Sequence, residues 1–108
     1  MSPKSEPYFV TIVSSEISDH DREGYEAHRK ELSEVVAKQS GFIGAEVSEN
    51  GQKSISLTYW KSQEAMNAWA ASAEHQEIKQ KSHAGGWIQS VRIEIAQVNH
   101  KMEFPPKH

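Results

Sequence analysis

The sequence lacks cysteine altogether, so disulfides, thiolate metal ligands and cysteine nucleophiles are excluded. It also lacks any apolar run approaching the roughly 18 residues of a membrane-spanning helix. The first seven residues are polar and carry no apolar signal-peptide region. We therefore expect a cytoplasmic protein that does not enter a membrane.

Basic patches and phosphate-binding motifs are also missing. The 12 basic and 15 acidic residues are mixed along the chain and give a net charge of −3, whereas a nucleic-acid binder is expected to carry a basic patch. Gly85-Gly86 is followed by Trp87 and a strand-like run, not by the helix that a glycine-rich phosphate loop requires. No nucleic-acid partner is expected.

Large apolar residues are scarce. Leu, Ile, Val and Phe make up only 20 of the 108 residues, just below the level of about 20% at which disorder is suspected. The low net charge and a total apolar content of 36% favour a folded chain with a thin core. The length fits one domain, and we expect that either this domain buries extra surface against a partner or part of the chain is a tail.

The apolar pattern predicts four strands and two helices. Strands are predicted where β-branched and aromatic residues concentrate or alternate, over 8–15, 42–49, 53–60 and 87–99. Helices are predicted by apolar positions three and four apart, over 22–39 and from 62 to about 82, with a kink near Ser72. The order β-α-β-β-α-β predicts an α+β, ferredoxin-like fold with an antiparallel sheet and helices on one face.

Three local signals support this order. Asn50-Gly51 is a strong hairpin signal because both residues tolerate a positive φ. Ser62 is a suitable N-cap for the second helix, and Gly41 can end the first helix in the left-handed conformation.

The predicted domain occupies residues 8–100, between a disordered segment at 1–7 and a tail at 101–108. The sheet face that the helices leave open is expected to mix apolar residues with Ser, Thr and Gln. We expect a homodimer that packs through this open sheet face, with the polar residues lining a pocket.

The segment Tyr59–Trp69 (YWKSQEAMNAW), followed by Ala73-Glu74-His75, resembles the antibiotic biosynthesis monooxygenase family. That family has an aromatic-Trp strand end, Ser-x-Glu-Ala at the helix start, a Trp within the helix and then Glu-His or a similar pair. The resemblance extends over roughly residues 8–99. It implies a dimeric α/β barrel with a small apolar cavity between the helices and the sheet of each protomer.

The resemblance also implies a reaction class. Characterised relatives oxidise polyketide phenols to quinones without metal or flavin, whereas others degrade haem, oxidise quinols or have no assigned substrate. We therefore predict a cofactor-independent monooxygenase that uses O2 as co-substrate on a small aromatic, phenolic or quinol-like compound. The alternative is a non-catalytic small-molecule binding or stress-related module of the same fold.

Three residues are candidates for catalysis. Trp69 either packs in the core or walls the cavity with its indole N–H towards the substrate. His75 is either a solvent-exposed residue in the first turn of a helix, or a base or hydrogen-bond donor with a pKa near neutrality. His28 interrupts the apolar stripe of the first helix. It is either a core or rim residue whose ring nitrogens are hydrogen-bonded, or a second candidate base.

Other side chains are expected either to pack in the core or to line the pocket: Tyr25, Tyr59, Trp60, Met66 and Trp87. On the last strand, Arg92 and Glu94 form either an ion pair or a polar gate to the pocket.

Haem and metal binding are disfavoured. The haem-degrading branch uses an Asn on the first strand and a His ten residues after the helix Trp. This chain has Lys79 at that second position, and its first strand contains no Asn. His75 and His83 are eight residues apart, which puts them about 80° apart around a helix, and no third metal ligand lies nearby in sequence.

Overall fold

A computed structural model describes residues 7–105. Its elements in this range are β1 (Tyr8–Ile17), α1 (Arg22–Ala37), β2 (Phe42–Asn50), β3 (Lys53–Trp60), α2 (Gln63–Ala71), α3 (Ala73–Gly85) and β4 (Ile88–Val98). The strands form one antiparallel sheet in the order β2-β3-β1-β4. This confirms the predicted α+β, ferredoxin-like fold. No helix among the described residues is long and apolar enough to cross a membrane.

The predicted terminal segments fall largely outside the described residues. Residues 1–6 and 106–108 are not described, so the disordered segment at 1–7 and the tail at 101–108 stay predictions. Within the tail, residues 101–105 form neither helix nor strand.

The predicted second helix is in fact two helices, which meet at Ser72. The backbone of Ser72 is extended, and its side chain satisfies both helix ends. Its Oγ donates to the Trp69 carbonyl at 2.8 Å and accepts from the His75 N–H at 3.0 Å. A serine that bonds to neighbouring backbone groups in this way favours a cap over a helix interior.

The predicted roles of Ser62 and Gly41 are confirmed, and the hairpin at Asn50-Gly51 differs in one detail. The Ser62 hydroxyl caps α2 by accepting from the Ala65 N–H at 3.1 Å. Gly41 has a φ of 84°, and a Cβ there would collide with Ala65, so both backbone and space require glycine. In the β2–β3 hairpin only Gly51 has a positive φ. This is the pattern of a type II′ turn and differs from the expectation that Asn50 would share it.

The core lies between the sheet and the first two helices. Strand register aligns Phe9, Trp60 and Phe42 on the helix-facing side, where Val36 of α1 and Met66 of α2 pack with them. Helix α1 lies against β2, and α2 lies against β1 and β3. The fully buried Trp60 is the centre of this cluster.

Beyond that cluster, the central strands present hydroxyls to the helices. The helix-facing positions of β1 and β3 are Thr11, Val13, Ser15, Ser54, Ser56 and Thr58. The open side of the same strands carries the apolar or aromatic Val10, Ile12, Ile55, Leu57 and Tyr59, with the polar Ser14, Glu16 and Lys53 towards one end. The expectation that Ser and Thr line the open face holds for Ser14 alone in these two strands, because strand alternation turns their other hydroxyls inwards.

The helix layer leaves β4 largely bare. Val91, Ile93 and Ile95 share the helix-facing side, opposite Ser15, Val13 and Thr11. They are 55%, 61% and 57% exposed. An apolar stripe on the edge strand therefore borders the hydroxyl-lined interior.

Candidate active site

Trp69 and His75 form an aromatic pair where α2 passes into α3. Their ring centroids are 5.0 Å apart, with the rings nearly perpendicular at 68°. Trp69 is half-buried and stacks on Trp60 with centroids 6.5 Å apart. The break at Ser72 produces this arrangement because it begins a new helix three residues before His75.

The hydrogen bond of His75 determines which ring nitrogen carries the proton. Its Nδ1 lies 3.1 Å from the Ala70 carbonyl oxygen. A carbonyl only accepts, so Nδ1 carries the hydrogen and the neutral ring keeps a free lone pair on Nε2. Burial lowers the pKa of His75 and outweighs the opposing effect of the Ala70 hydrogen bond. His75 is therefore a neutral imidazole at pH 7, able to accept a proton at Nε2.

The sheet surface next to the Trp60 cluster combines hydroxyl and apolar groups. Thr58, Thr11 and Ile95 stand side by side in the row that follows Trp60 and Phe9. Both threonines are half-buried. This row offers hydroxyl donors to a polar atom and an apolar edge to a ring.

His28 lies in a different environment. It is 7% exposed and packs against Trp87, with ring centroids 5.0 Å apart. Burial is also the main cause that lowers the pKa of His28. Trp87 in turn donates its indole N–H to Asp21 at 3.3 Å. The structure thus pairs His75 with Trp69 and His28 with Trp87.

Tyr25 links α1 to the edge of the sheet. Its hydroxyl donates to Glu49 at 2.8 Å, and Arg22 donates to the same carboxylate at 2.7 Å. Burial, followed by the bond to Glu49, raises the pKa of Tyr25. The bond from Tyr25 lowers the pKa of Glu49. This network accounts for Tyr25 as a structural contact between α1 and β2.

Tyr59 belongs to the other side of the sheet. Its side chain lies on the open face, where its hydroxyl donates to Glu46 at 2.8 Å. That bond raises the pKa of Tyr59. Tyr59 and Trp69 are therefore separated by the sheet.

Met66 and Trp60 are core residues, only 4% and 0% exposed. Among the described residues, the indole N–H of Trp60 is a buried side-chain donor with no hydrogen-bond partner. Buried donors are almost always paired, and no sequence signal predicted this exception. The same Trp60 ring stacks on Trp69.

Comparison with known proteins identifies the family. The family model for antibiotic biosynthesis monooxygenase matches residues 8–81, which is well over half of the chain. The chain belongs to the antibiotic biosynthesis monooxygenase family. This confirms the resemblance carried by the motif around Trp69.

One sequence relative and two solved structures are similar to this chain. YqjZ, an uncharacterized protein of Bacillus subtilis (strain 168), is 34% identical over 99 residues, covering 91% of this chain and 85% of its own. A Deinococcus radiodurans structure assigned to the antibiotic biosynthesis monooxygenases has a TM-score of 0.80 at 10% identity, covering 91% of this chain and 99% of its own. SnoaB, a cofactor-independent oxygenase from Streptomyces nogalater, has a TM-score of 0.72 at 10% identity, covering 94% and 100%. At such low identities, the two structures support the fold alone.

This member of the monooxygenase family has few side chains placed together as metal ligands in the described range. Within residues 7–105, no group of three or more His, Cys, Asp or Glu side chains is placed to hold an ion. Lys79, at the position where the haem-degrading branch has its His, is exposed on α3. The groups available for chemistry are thus an imidazole, an indole and hydroxyls.

Proposed function

We propose that the protein is a cofactor-independent monooxygenase that converts a small phenol or related aromatic compound to a quinone. The observation that carries this proposal is the Trp69–His75 pair, with a neutral imidazole whose Nε2 is free to accept a proton. Family membership supports the same reaction class. SnoaB, which shares the fold, is described as a cofactor-independent oxygenase.

The reaction requires only substrate and O2. His75 Nε2 takes the phenolic proton, and the phenolate passes one electron to O2, giving a phenoxyl radical and superoxide. These combine at the para carbon to form a C–O bond. Loss of the para hydrogen and cleavage of the O–O bond release water and leave a quinone. One phenol and one O2 thus give one quinone and one water, and the base is regenerated.

The protein would contribute orientation, a base and charge stabilisation. Trp69 would hold the aromatic ring beside the imidazole. The hydroxyls of Thr11 and Thr58 would donate to the phenolate oxygen, and the β4 stripe would contact the apolar part of the substrate. His28 remains a second candidate base, but its contact with Trp87 makes it the less suitable one.

We also propose that the protein acts as a homodimer through the open sheet face. Ile55 is 50% exposed there, beside the half-buried Ile12 and Leu57. Apolar residues concentrated on one uncovered face favour association. A second protomer packed on this face would leave the helix-facing side of each chain, with Trp69 and His75, uncovered.

A binding module without turnover is the second candidate. The bond from His75 to the Ala70 carbonyl also caps the end of α2. That contact gives His75 a structural role that requires no catalysis. A protein of this kind would bind an aromatic ligand and leave it unchanged.

Oxygen uptake with a defined phenol separates the two candidates. Chelator-treated protein is mixed with α-naphthol, and O2 consumption and quinone formation are followed together. The monooxygenase predicts equal amounts of quinone formed and O2 consumed, with no dependence on added metal. Saturable binding of α-naphthol without O2 uptake would support the binding module instead.

Two histidine variants test the assignment of the base. His75→Gln keeps a hydrogen-bonding side chain but removes the base, and it should lower the rate by about a hundredfold or more. His28→Gln serves as the matched control and should retain most of the rate in protein that remains folded. A larger loss in His28→Gln than in His75→Gln would reverse the assignment.

A further inference from the structure

The β4 stripe consists of Val91, Ile93 and Ile95, which stand in line on the helix-facing side of the sheet. Each is more than half exposed, although burial of such side chains is favourable. The charged residues of the same strand, Arg92 and Glu94, lie on the open side, where they form an ion pair at 3.4 Å. The stripe is therefore a narrow, uncharged and uncovered surface.

The stripe is continuous with the proposed aromatic site. Thr58, Thr11 and Ile95 form one row across the sheet, and Trp60 belongs to the next row. With neighbouring strands about 4.8 Å apart, Ile95 lies about 10 Å from Thr58 across the sheet. An aromatic ring held beside Trp69 and over the two threonines therefore has one end of the stripe at its edge.

The stripe has the dimensions of a linear hydrocarbon chain. From Val91 to Ile95 it extends about 14 Å along the strand. An extended alkyl chain covers that length with about ten carbons, since each bond of about 1.5 Å advances the zigzag by about 1.3 Å. Across the strand the stripe is one side chain wide, with the half-buried Val13 beside Ile93. Such a long and narrow surface fits a chain better than a second ring system.

The area of the stripe is too small for a protein partner. Complete burial of an aliphatic side chain removes roughly 100 Å² of apolar surface from water, so three such side chains provide roughly 300 Å² at most. A specific protein interface buries about 800 Å² on each partner. A small ligand that already occupies the neighbouring site needs no such area.

The opposite edge of the same sheet face is less apolar. The positions of β2 that belong to these rows are Ala45, Val47 and Glu49. Ala45 is small and Glu49 is a carboxylate, in the rows where β4 has Ile95 and Val91. The β4 edge is therefore the better surface for a hydrocarbon chain.

We propose that the substrate of this site is an amphiphile, a phenolic ring with one linear hydrocarbon chain that lies along Val91, Ile93 and Ile95. This inference rests on the proposed monooxygenase and names its substrate class. The phenolic ring occupies the hydroxyl-lined centre of the sheet, and the chain occupies the apolar edge. The hydrophobic effect then makes affinity depend on the length of the chain.

A homologous series of ligands tests the proposal. The full-length protein is titrated calorimetrically under nitrogen, where no oxidation occurs, with α-naphthol and its 2-alkyl derivatives from ethyl to dodecyl. Position 4 of these compounds stays free for oxidation. We expect the affinity to rise by about twofold per methylene, roughly half the free energy of full burial, because the chain contacts the protein on one side. The rise should level off where the chain reaches the end of the stripe.

Two matched variants locate the chain. Val47 and Ile93 stand in one row at opposite edges of the sheet and are 49% and 61% exposed. Ile93→Thr and Val47→Thr each keep a β-branched side chain. Ile93→Thr should lower the ratio of the octyl to the ethyl affinity by about fivefold, whereas Val47→Thr should leave this ratio as in the natural chain. An unchanged ratio in Ile93→Thr, or a larger loss in Val47→Thr, would overturn the proposal.

Oxygen uptake in air separates this inference from the function on which it rests. A protein that oxidises α-naphthol but binds the whole series with one affinity would overturn the chain site and leave the monooxygenase intact. A dependence on chain length without O2 uptake would overturn the monooxygenase and support the chain site as part of a binding module. Absence of binding throughout the series would overturn both.

Sedimentation tests a second copy of the chain as the occupant. Ile93→Thr should leave the dimer dissociation constant unchanged, because the stripe lies on the side of the sheet away from the proposed interface. A dissociation constant raised by tenfold or more would mean that a second copy covers the stripe, and it would overturn the proposal.

Discussion

The two faces of the sheet differ in the residues they present and in whether helices cover them. On the helix-facing side, Thr11, Thr58 and Ser56 lie under or beside the helices, although they are polar. On the open side, Ile55 and Leu57 face outwards, although they are apolar. A simple globular domain would show the reverse. The difference is consistent with the two proposals, that the helix-facing side binds a polar group of a substrate and that the open side is a dimer interface.

This comparison also explains the thin core. Serine and threonine occupy most of the helix-facing positions of β1 and β3 beyond the Trp60 cluster, so few large aliphatic residues lie there. Many of the aliphatic residues lie in the Trp60 cluster, on the open face or in the bare β4 stripe, whereas Ile17 and Ile78 are buried elsewhere. The low aliphatic content thus reflects where the surfaces lie and does not indicate disorder.

The largest effect should come from a charge on the open face. Ile55→Asp should raise the dimer dissociation constant by about a thousandfold, because each interface would bury two unpaired carboxylates. Sedimentation at several protein concentrations measures this change. Ser33→Asp, on the exposed side of α1, should leave the dimer intact. A dimeric Ile55→Asp protein would mean that another surface forms the interface.

A core substitution on the opposite side should act on folding and leave association unchanged. Met66→Ala should lower the free energy of unfolding by about 3 kcal/mol, because it opens a cavity beside Trp60. Urea denaturation at fixed protein concentration measures the loss. The dissociation constant of the folded dimer should stay as in the natural chain. A loss below about 1 kcal/mol would indicate that the Trp60 cluster is not the core of the protomer.

Removing an inward hydroxyl should affect the substrate more than the fold. Thr58→Val keeps the shape of the side chain and removes one donor. We expect KM for α-naphthol to rise by up to about tenfold, as for the loss of one hydrogen bond of about 1 kcal/mol. Thermal denaturation should show little change. If Ser48→Ala on the open face raised KM equally, the distinction between the two faces would fail.

Mild acid should have the smallest effect. Burial lowers the pKa of His28 and of His75 below the ordinary 6.5. Between the lowered and the ordinary pKa, the unfolded chain binds more protons than the folded chain, so stability falls as pH falls below about 6.5. Urea denaturation at pH 7.5 and pH 5.5 measures the loss.

Histidine variants locate the source of this dependence. His75→Gln and His28→Gln should each reduce the loss of stability between the two pH values. Ser33→Gln, on the exposed side of α1, should leave it unchanged. A dependence that persists without both buried histidines would have to come from other groups.

Much of the fold could be predicted because its signals are local. The alternation from Lys53 to Trp60 predicted β3 with its observed ends, and the Asn50-Gly51 signal predicted the hairpin. The division at Ser72 was predicted only as a kink, because whether a serine bends or ends a helix depends on its hydrogen bonds to Trp69 and His75.

The candidate site could be predicted only in part. Spacing and family resemblance brought Trp69 and His75 to attention as separate candidates, but their 5.0 Å contact depends on the angle between two helices. Tyr59 was grouped with the pocket, although strand alternation places it on the far side of the sheet from Trp60. Which side the helices cover is decided by tertiary packing, which no local pattern specifies.

A crystal structure of the dimer with bound α-naphthol would test the central claim most directly. The account predicts the naphthol ring against Trp69 on the helix-facing side, its hydroxyl within hydrogen-bond distance of His75 Nε2, and the open faces packed together. A naphthol bound on the open face, with Trp69 and His75 free of ligand, would contradict it.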